Sequence, residues 1–424
     1  MEKYTKINSN IRLFYIPFKK LKTANIGIYI HRRITPEEAS YNALLPYVLK
    51  SGCKKCPDKE AVARYCEELY GAAVRVSLIK FGEDQIIRFE SDVINDCYAP
   101  EKEPLVSDAA ELLLSILFEP LTEDGAFLKS VTEREKISAK DRINAMQNDK
   151  RSYASKRCME EMCKGNNAGL SLLGTIDGID KITPKSLYEY YSEMITSSYI
   201  DIYVCGDTDT DSIAKKVTEK ISGISFKEAK MPYSEILETS GEVKEVTDKM
   251  DVVQGKLSMG FTTGIKPTDK DYPALQVMNS VFGAGAHSKL FNNVREKLSL
   301  AYYASSQLER YKGCMIVNSG IEFKNFKKAY DEILVQLENI KKGDISDLEF
   351  ESSINAIINN YESYKDDERA MQIFALGEDL AKTDMDIEER KKLIMSVTKE
   401  DVARVAKNIK LDTVYFLDGK GESK

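Results

Sequence analysis

The 424-residue chain has two histidines, His31 and His287. Histidine is the usual neutral ligand of a hydrolytic zinc, which needs three protein ligands, an open coordination position and a carboxylate to take the proton of bound water. These two lie far apart, form no i, i+4 pair and have no Glu or Asp at the helical spacing that completes a motif. His31 closes the apolar run NIGIYIH and reads as an ordinary strand-end residue. His287 follows Gly-Ala-Gly-Ala at a helix start and reads as a capping or surface residue. GAGAHSK lacks the Gly-Lys-Ser/Thr ending of a phosphate loop and the dinucleotide fingerprint, so a flexible turn is expected there.

Two further groups imitate ion sites. Cys53 and Cys56 form a CxxC, but no second CxxC and no nearby His completes a zinc site, so the pair reads as a turn. The eight cysteines are spread through a long chain and read as reduced thiols. Asp207, Asp209 and Asp211 resemble the start of a calcium loop, yet Ser212 stands where the loop needs Gly and no Glu stands at its twelfth position. Carboxylates offsetting a helix dipole are the expectation.

The most specific stretch is GAGAHSKLFNNVREKLSLAYYASS, residues 283–306. A Gly-rich turn leads into a helix carrying apolar Leu290, Phe291 and Val294, then Arg295-Glu296-Lys297, and Leu300-Ala301-Tyr302 enters a strand.

The elements that position these residues are duplicated. YNALLPYVLKSG from Tyr41 is matched by YPALQVMNSVFG from Tyr272, and Gly52 by Gly283, both at an offset of 231. VRVSLIKFGEDQIIRFES alternates apolar and polar residues about Gly82, and YYASSQLERYKGCMIVNSG turns at Gly313 in the same register. Ile143-Asn144-Ala145 recurs as Ile354-Asn355-Ala356, each in a helical pattern. Thr183 and Thr398 stand at equivalent helix N-caps, each helix leading into a β-rich run at Ile200–Cys205 or Thr413–Leu417. The chain is therefore expected to be α+β, with homologous domains at 1–225 and 242–424 joined by a linker at 226–241.

A net charge of −7 without a basic cluster argues against a nucleic-acid partner. No segment approaches the roughly 20 apolar residues that span a bilayer, and the N-terminal residues show no signal-peptide pattern, so no membrane association and a cytoplasmic location are expected.

At residues 283–306 the chain resembles the M16 peptidases, the family of mitochondrial processing peptidase and insulin-degrading enzyme. Their second half carries a Gly-rich turn, Ser-x-Leu-Phe and Arg-Glu-x-x-x-Leu-Ala-Tyr, here Ser288–Phe291 and Arg295–Tyr302. The resemblance implies two LuxS/MPP-like domains forming half of a clamshell. Active members carry His-x-x-Glu-His on a first-half helix. Aligning the following glycine puts Ala43, Pro46 and Tyr47 at those positions, and a one-residue shift puts Asn42, Leu45 and Pro46 there. Neither set can ligate zinc as a site, and the distal Glu position falls near Asp141-Arg142. No catalytic residue, metal ligand or cofactor is expected in this chain.

In the family the second-half Arg and Tyr hold the substrate backbone, a role the resemblance carries to Arg295 and Tyr302. The first half has Arg64 but Gly71 at the corresponding positions. The implied function is a non-catalytic subunit that offers Arg295 and Tyr302 to a peptide, beside a homologous partner that carries His-x-x-Glu-His and the zinc. The alternative is a scaffold protein of this fold without a proteolytic role.

Overall fold

The computed structural model describes residues 4–238 and 241–420. Thr239 and Ser240 of the expected linker lie outside the described residues, and 224–238 carries neither helix nor strand.

The strands are β1 (Tyr4–Lys6), β2 (Ile11–Pro17), β3 (Thr23–Arg33), β4 (Ala73–Phe81), β5 (Asp84–Ile94), the short pair β6 (Thr122–Glu123) and β7 (Ala126–Phe127), and β8 (Tyr199–Gly206). In the second half they are β9 (Lys244–Met250), β10 (Gly255–Thr262), β11 (Ala301–Glu309), β12 (Cys314–Ile321) and β13 (Lys410–Gly419). One compact unit is built on a sheet of order β1-β2-β8-β3-β5-β4, the other on β11-β12-β10-β13-β9. Without β1, the first sheet maps strand for strand onto the second. Each has one parallel pair at corresponding positions, β2 with β8 and β9 with β13. The hairpins turn at Gly82 and Gly313, with φ of 62° and 58°. The duplication read from residue offsets is thus a duplication of topology.

In the first unit Ile26, Ile28 and Ile30 of β3 and Ile200, Ile202 and Val204 of β8 join a core with Leu44, Leu45 and Val48 of the Ala39–Leu49 helix. Leu112, Leu113 and Ile116 of the Leu105–Phe118 helix complete it. Period-two alternation sends Gly27, Tyr29 and His31 to the opposite face, which is also covered.

The units are not the contiguous spans 1–225 and 242–424. The first includes Tyr364–Phe374 and the second includes Ala145–Gly169. Each exchanged segment lies on the sheet of the unit it joins. Gln372 accepts a hydrogen bond from Tyr29 at 3.0 Å and donates one to the Asn25 carbonyl at 2.8 Å. The Lys150–Met162 helix buries Ala154, Cys158 and Met162 against Ile316, Tyr415 and Leu417. Each central strand has a glycine beneath its visitor. A Cβ at Gly27 would meet Gln372 Oε1 at 2.5 Å, and one at Gly260 would meet Met162 Sδ at 2.8 Å. The offset in sequence shows the repeat but not which partner a helix chooses, because that choice rests on this close packing.

Both threonine caps form. Thr183 accepts from the Ser186 amide while the Ser186 hydroxyl accepts from the Thr183 amide, and Thr398 and Asp401 make the same reciprocal pair. Thr183→Ala and Thr398→Ala are each expected to cost about 1 kcal/mol, read as a lower urea midpoint with an unchanged slope.

Candidate functional site

Arg295 and Tyr302 are both held by irregular backbone in the second unit. The helix expected after the Gly-rich turn is wound as a π-helix over Leu290–Lys297, its end marked by the Leu298 amide bonding to the Asn293 carbonyl five residues back. Buried Leu290 and Val294 anchor it, Lys289 pairs with Glu349 at 3.0 Å, and Asn293 donates to Gln336 at 2.9 Å. Ser299 then adopts φ of 49°, a left-handed conformation unfavourable for a residue with a Cβ. In β11, Ala301 pairs with Ile321 and Tyr303 with Gly320, which leaves Tyr302 as the extra residue of a β-bulge. Three departures from regular geometry thus occur between residues 290 and 302. Such departures re-aim side chains and recur at functional sites.

The result is presentation. Tyr302 is 63% exposed, and its hydroxyl makes no hydrogen bond among the described residues. The Arg295 guanidinium lies 4.5 Å from the Phe291 ring centroid and 3.5 Å from Glu296, contacts that leave most of its planar donor set available. A phenol and a guanidinium can donate hydrogen bonds to main-chain carbonyls. Arg64 forms an exposed pair with Glu60, and Gly71 has φ of 82° with open space around it, so the first unit has no counterpart to the pair.

The first-half helix at the zinc-motif positions, Ala39–Leu49, is closed by other interactions. The Asn42 amide is spent on both sides, donating to Gln85 at 2.9 Å and accepting from Tyr190 at 2.5 Å. Tyr190 also reaches Glu38, which is clamped by Arg32. Ala43, Leu45 and Pro46 have no donor atoms to offer a metal. Arg142 lies over the remaining candidate, Tyr47, with its Cζ 3.6 Å from the ring centroid. An organic cation thus sits on the one side chain that could have ligated, and Arg142 would repel a divalent ion. These residues do not fit zinc, and among the described residues no group of three or more His, Cys, Asp or Glu could hold a metal.

His31 corrects the strand-end reading. It lies inside β3, fully buried, with Nδ1 2.7 Å from Asp84 and Nε2 3.2 Å from Asp201. Arg12 donates to both oxygens of Asp201, at 2.8 and 2.7 Å. The charges therefore alternate across four neighbouring strands: Arg12 on β2, Asp201 on β8, His31 on β3 and Asp84 on β5. Burial alone would lower the His31 pKa, but the Asp84 charge and the approach of Asp201 outweigh it and push it up to about 10. Burial opposes ionisation of Asp201 as well, yet His31 and Arg12 hold it below the usual carboxylate range. A sequence signal existed. Arg12 and Asp201 sit within otherwise apolar strand runs, where a charge needs a buried partner.

The remaining candidates play structural parts. His287 bonds Ser280 at 3.1 Å and is half-buried, which lowers its pKa. Cys53 and Cys56 form the expected turn, with reciprocal main-chain hydrogen bonds of 2.7 and 3.1 Å, and both thiols are free and buried. Burial first, then the Cys53 charge, pushes Cys56 up to about 11. Asp209 caps the Thr210–Ile221 helix, with Asp211 in its first turn. No helix among the described residues is long and apolar enough to cross a membrane.

Residues 181–357 match the family described as "Peptidase M16 inactive domain". The chain is 38% identical over 401 residues to "Probable inactive metalloprotease YmfF" of Bacillus subtilis, covering 95% of this chain and 94% of that one. Its fold is similar to that of a conserved protein from Enterococcus faecalis, with a TM-score of 0.93 and 28% identity over the whole of both chains. It is also similar to the peptidase M16 inactive domain structure from Pseudomonas fluorescens, with a TM-score of 0.78, 16% identity and 99% of each chain covered. The duplicated topology, the donor-poor motif helix and these likenesses agree, and the chain belongs to the M16 peptidase family as an inactive member.

Proposed function

We propose that this protein is the non-catalytic subunit of a two-chain M16 zinc peptidase, holding peptide substrate with Arg295 and Tyr302 while a homologous partner carries His-x-x-Glu-His and the metal. One contrast carries the reading. The motif helix is filled by the Asn42 hydrogen bonds and the Arg142–Tyr47 stack, whereas Arg295 and Tyr302 remain presented on irregular backbone. A scaffold without a peptide ligand has no use for a strained segment that exposes a phenol. The cytoplasm, where thiols stay reduced, suits the eight free cysteines.

The purified chain is expected to hold no stoichiometric zinc after dialysis and to cleave no peptide alone. With a zinc-motif homologue from the same cell it is expected to co-elute on size exclusion at micromolar concentration. One zinc per chain with chelator-sensitive proteolysis would overturn the reading, as would separate elution from every such homologue.

A further inference from the structure

The second unit contains an open cavity of about 540 Å³. Its walls include Asn148 at the end of the Lys129–Asn148 helix, Lys150 and Arg151 at the start of the Lys150–Met162 helix, Asp251 and Gln254 of the β9–β10 connection, and Lys256 of β10. The cross-strand register places Lys256 of its wall beside Tyr303. Lys256 pairs with Gly320 and Gly320 with Tyr303, so the three lie in a row across β10, β12 and β11. Gly320 leaves room for the Tyr303 ring, which a Cβ there would meet at 2.4 Å. The Arg151 guanidinium lies 4.3 Å above that ring, and Lys256 Nζ lies 5.7 Å from it.

Among the described residues, these cations donate their hydrogen bonds to neutral atoms. Arg151 donates to the Ser305 hydroxyl at 3.2 Å, Lys256 to Gln254 Oε1 at 2.5 Å, and Lys150 to the Gln147 carbonyl at 2.8 Å. Asp149 is nearby, but its oxygens are taken up by the amides of Arg151 and Ser152 and the Ser152 hydroxyl. Asp251 is the one carboxylate on the wall, against three cations. Burial, and then the Arg151 charge, lowers the Lys256 pKa, and the nearby Asp149 charge offsets them only in part.

We propose that Arg151, Lys256 and the Tyr303 ring form an anion subsite that takes side-chain carboxylates of an acidic peptide. The guanidinium fork fits a carboxylate, and Tyr303 holds it in place from below. The ligand is a peptide because the subsite adjoins β11, the edge strand of its sheet, the kind of strand to which an extended segment adds. This rests on the peptide-holding reading above and names the substrate class. Its test needs neither the partner nor turnover, so the two can fail separately.

The test is fluorescence anisotropy of the full chain with a dye-labelled peptide of alternating Glu and Asp, beside its Gln/Asn analogue, with inorganic tripolyphosphate as a third probe. The acidic peptide is expected to bind and to weaken with added salt, and the neutral analogue to bind about tenfold more weakly or worse, as for one charge-assisted hydrogen bond lost. Arg151→Met and Lys256→Met should each lower affinity similarly, and Lys185→Met, on an exposed helix, should leave it unchanged. Melting curves verify that each variant is folded. Equal affinity for the two peptides, full binding by folded Arg151→Met, no binding of the acidic peptide, or binding of tripolyphosphate alone would each overturn the proposal.

Discussion

Tyr302→Phe in a reconstituted pair is expected to lower turnover by about 10²–10³, the usual cost of removing one donor aimed at charge that develops in the transition state. The substitution deletes a single hydroxyl from a side chain that is largely exposed and makes no hydrogen bond within the described residues. Folding and association should therefore match wild type, and the loss should fall on kcat more than KM. Arg295→Lys keeps the charge but gives up the planar fork, and its cation–π contact with Phe291 weakens as well. A partial loss, shared between kcat and KM, is expected. Steady-state kinetics on pairs whose co-elution has been checked separate these effects. Wild-type turnover in both variants would make the pair a relic and favour a scaffold.

The second large effect is on stability. Asp201→Asn should cost about 3–5 kcal/mol, because it leaves Arg12 and His31 buried without their shared counter-charge. His31→Leu removes one cation and strands Asp84, and should cost a similar amount. The pH dependence follows from the directions of the shifts. A His31 pKa raised to about 10 contributes stability that is complete below its ordinary value of 6.5 and fades as pH climbs from there through 10. A depressed Asp201 contributes stability present above its ordinary value of 3.8 and lost as pH falls through its lower folded value. Urea midpoints measured across pH should fall toward both extremes in wild type, and the alkaline decline should flatten in His31→Leu. An unchanged alkaline limb in that variant would show that His31 is neutral in the folded protein.

Much of this was legible in the residues. Matching tyrosines and glycines at an offset of 231, followed by capping threonines in the same order at a shorter offset, revealed the repeat because turns and caps are local and tolerate few residue types. The Arg295–Tyr302 stretch was found by its motif, Ser-x-Leu-Phe followed by Arg-Glu-x-x-x-Leu-Ala-Tyr, and not by the repeat, since the first half has Gly71 at the tyrosine position. What carries Arg295 and Tyr302 was not legible, since π-winding over Leu290–Lys297 and the bulge at Tyr302 are settled by the anchors Leu290, Val294, Lys289 and Asn293, whose partners lie far along the chain. His31 was misread as an ordinary strand-end residue because it closes the apolar run NIGIYIH, whereas the strand continues to Arg33 and carries His31 on a second buried face. The second face is covered by Tyr364–Phe374, a segment more than 300 residues away. Tyr47 and Arg142 were both noted as unfit for zinc, but only the fold shows one stacked on the other.

The exchanged segments also set an order of events during synthesis. The first sheet is complete in the nascent chain once β8 has emerged, but one of its faces stays open until Phe374 has been made, with Tyr29 and Asn25 waiting for Gln372. Contacts of such sequence separation raise contact order and slow closure. A ribosome making about 5–20 residues per second leaves that apolar and charged surface uncovered for on the order of ten seconds or more. The first half is thus expected to be a client for holding chaperones in that interval. A fragment that stops before residue 364 should remain one, soluble only while something else occupies the place of Gln372.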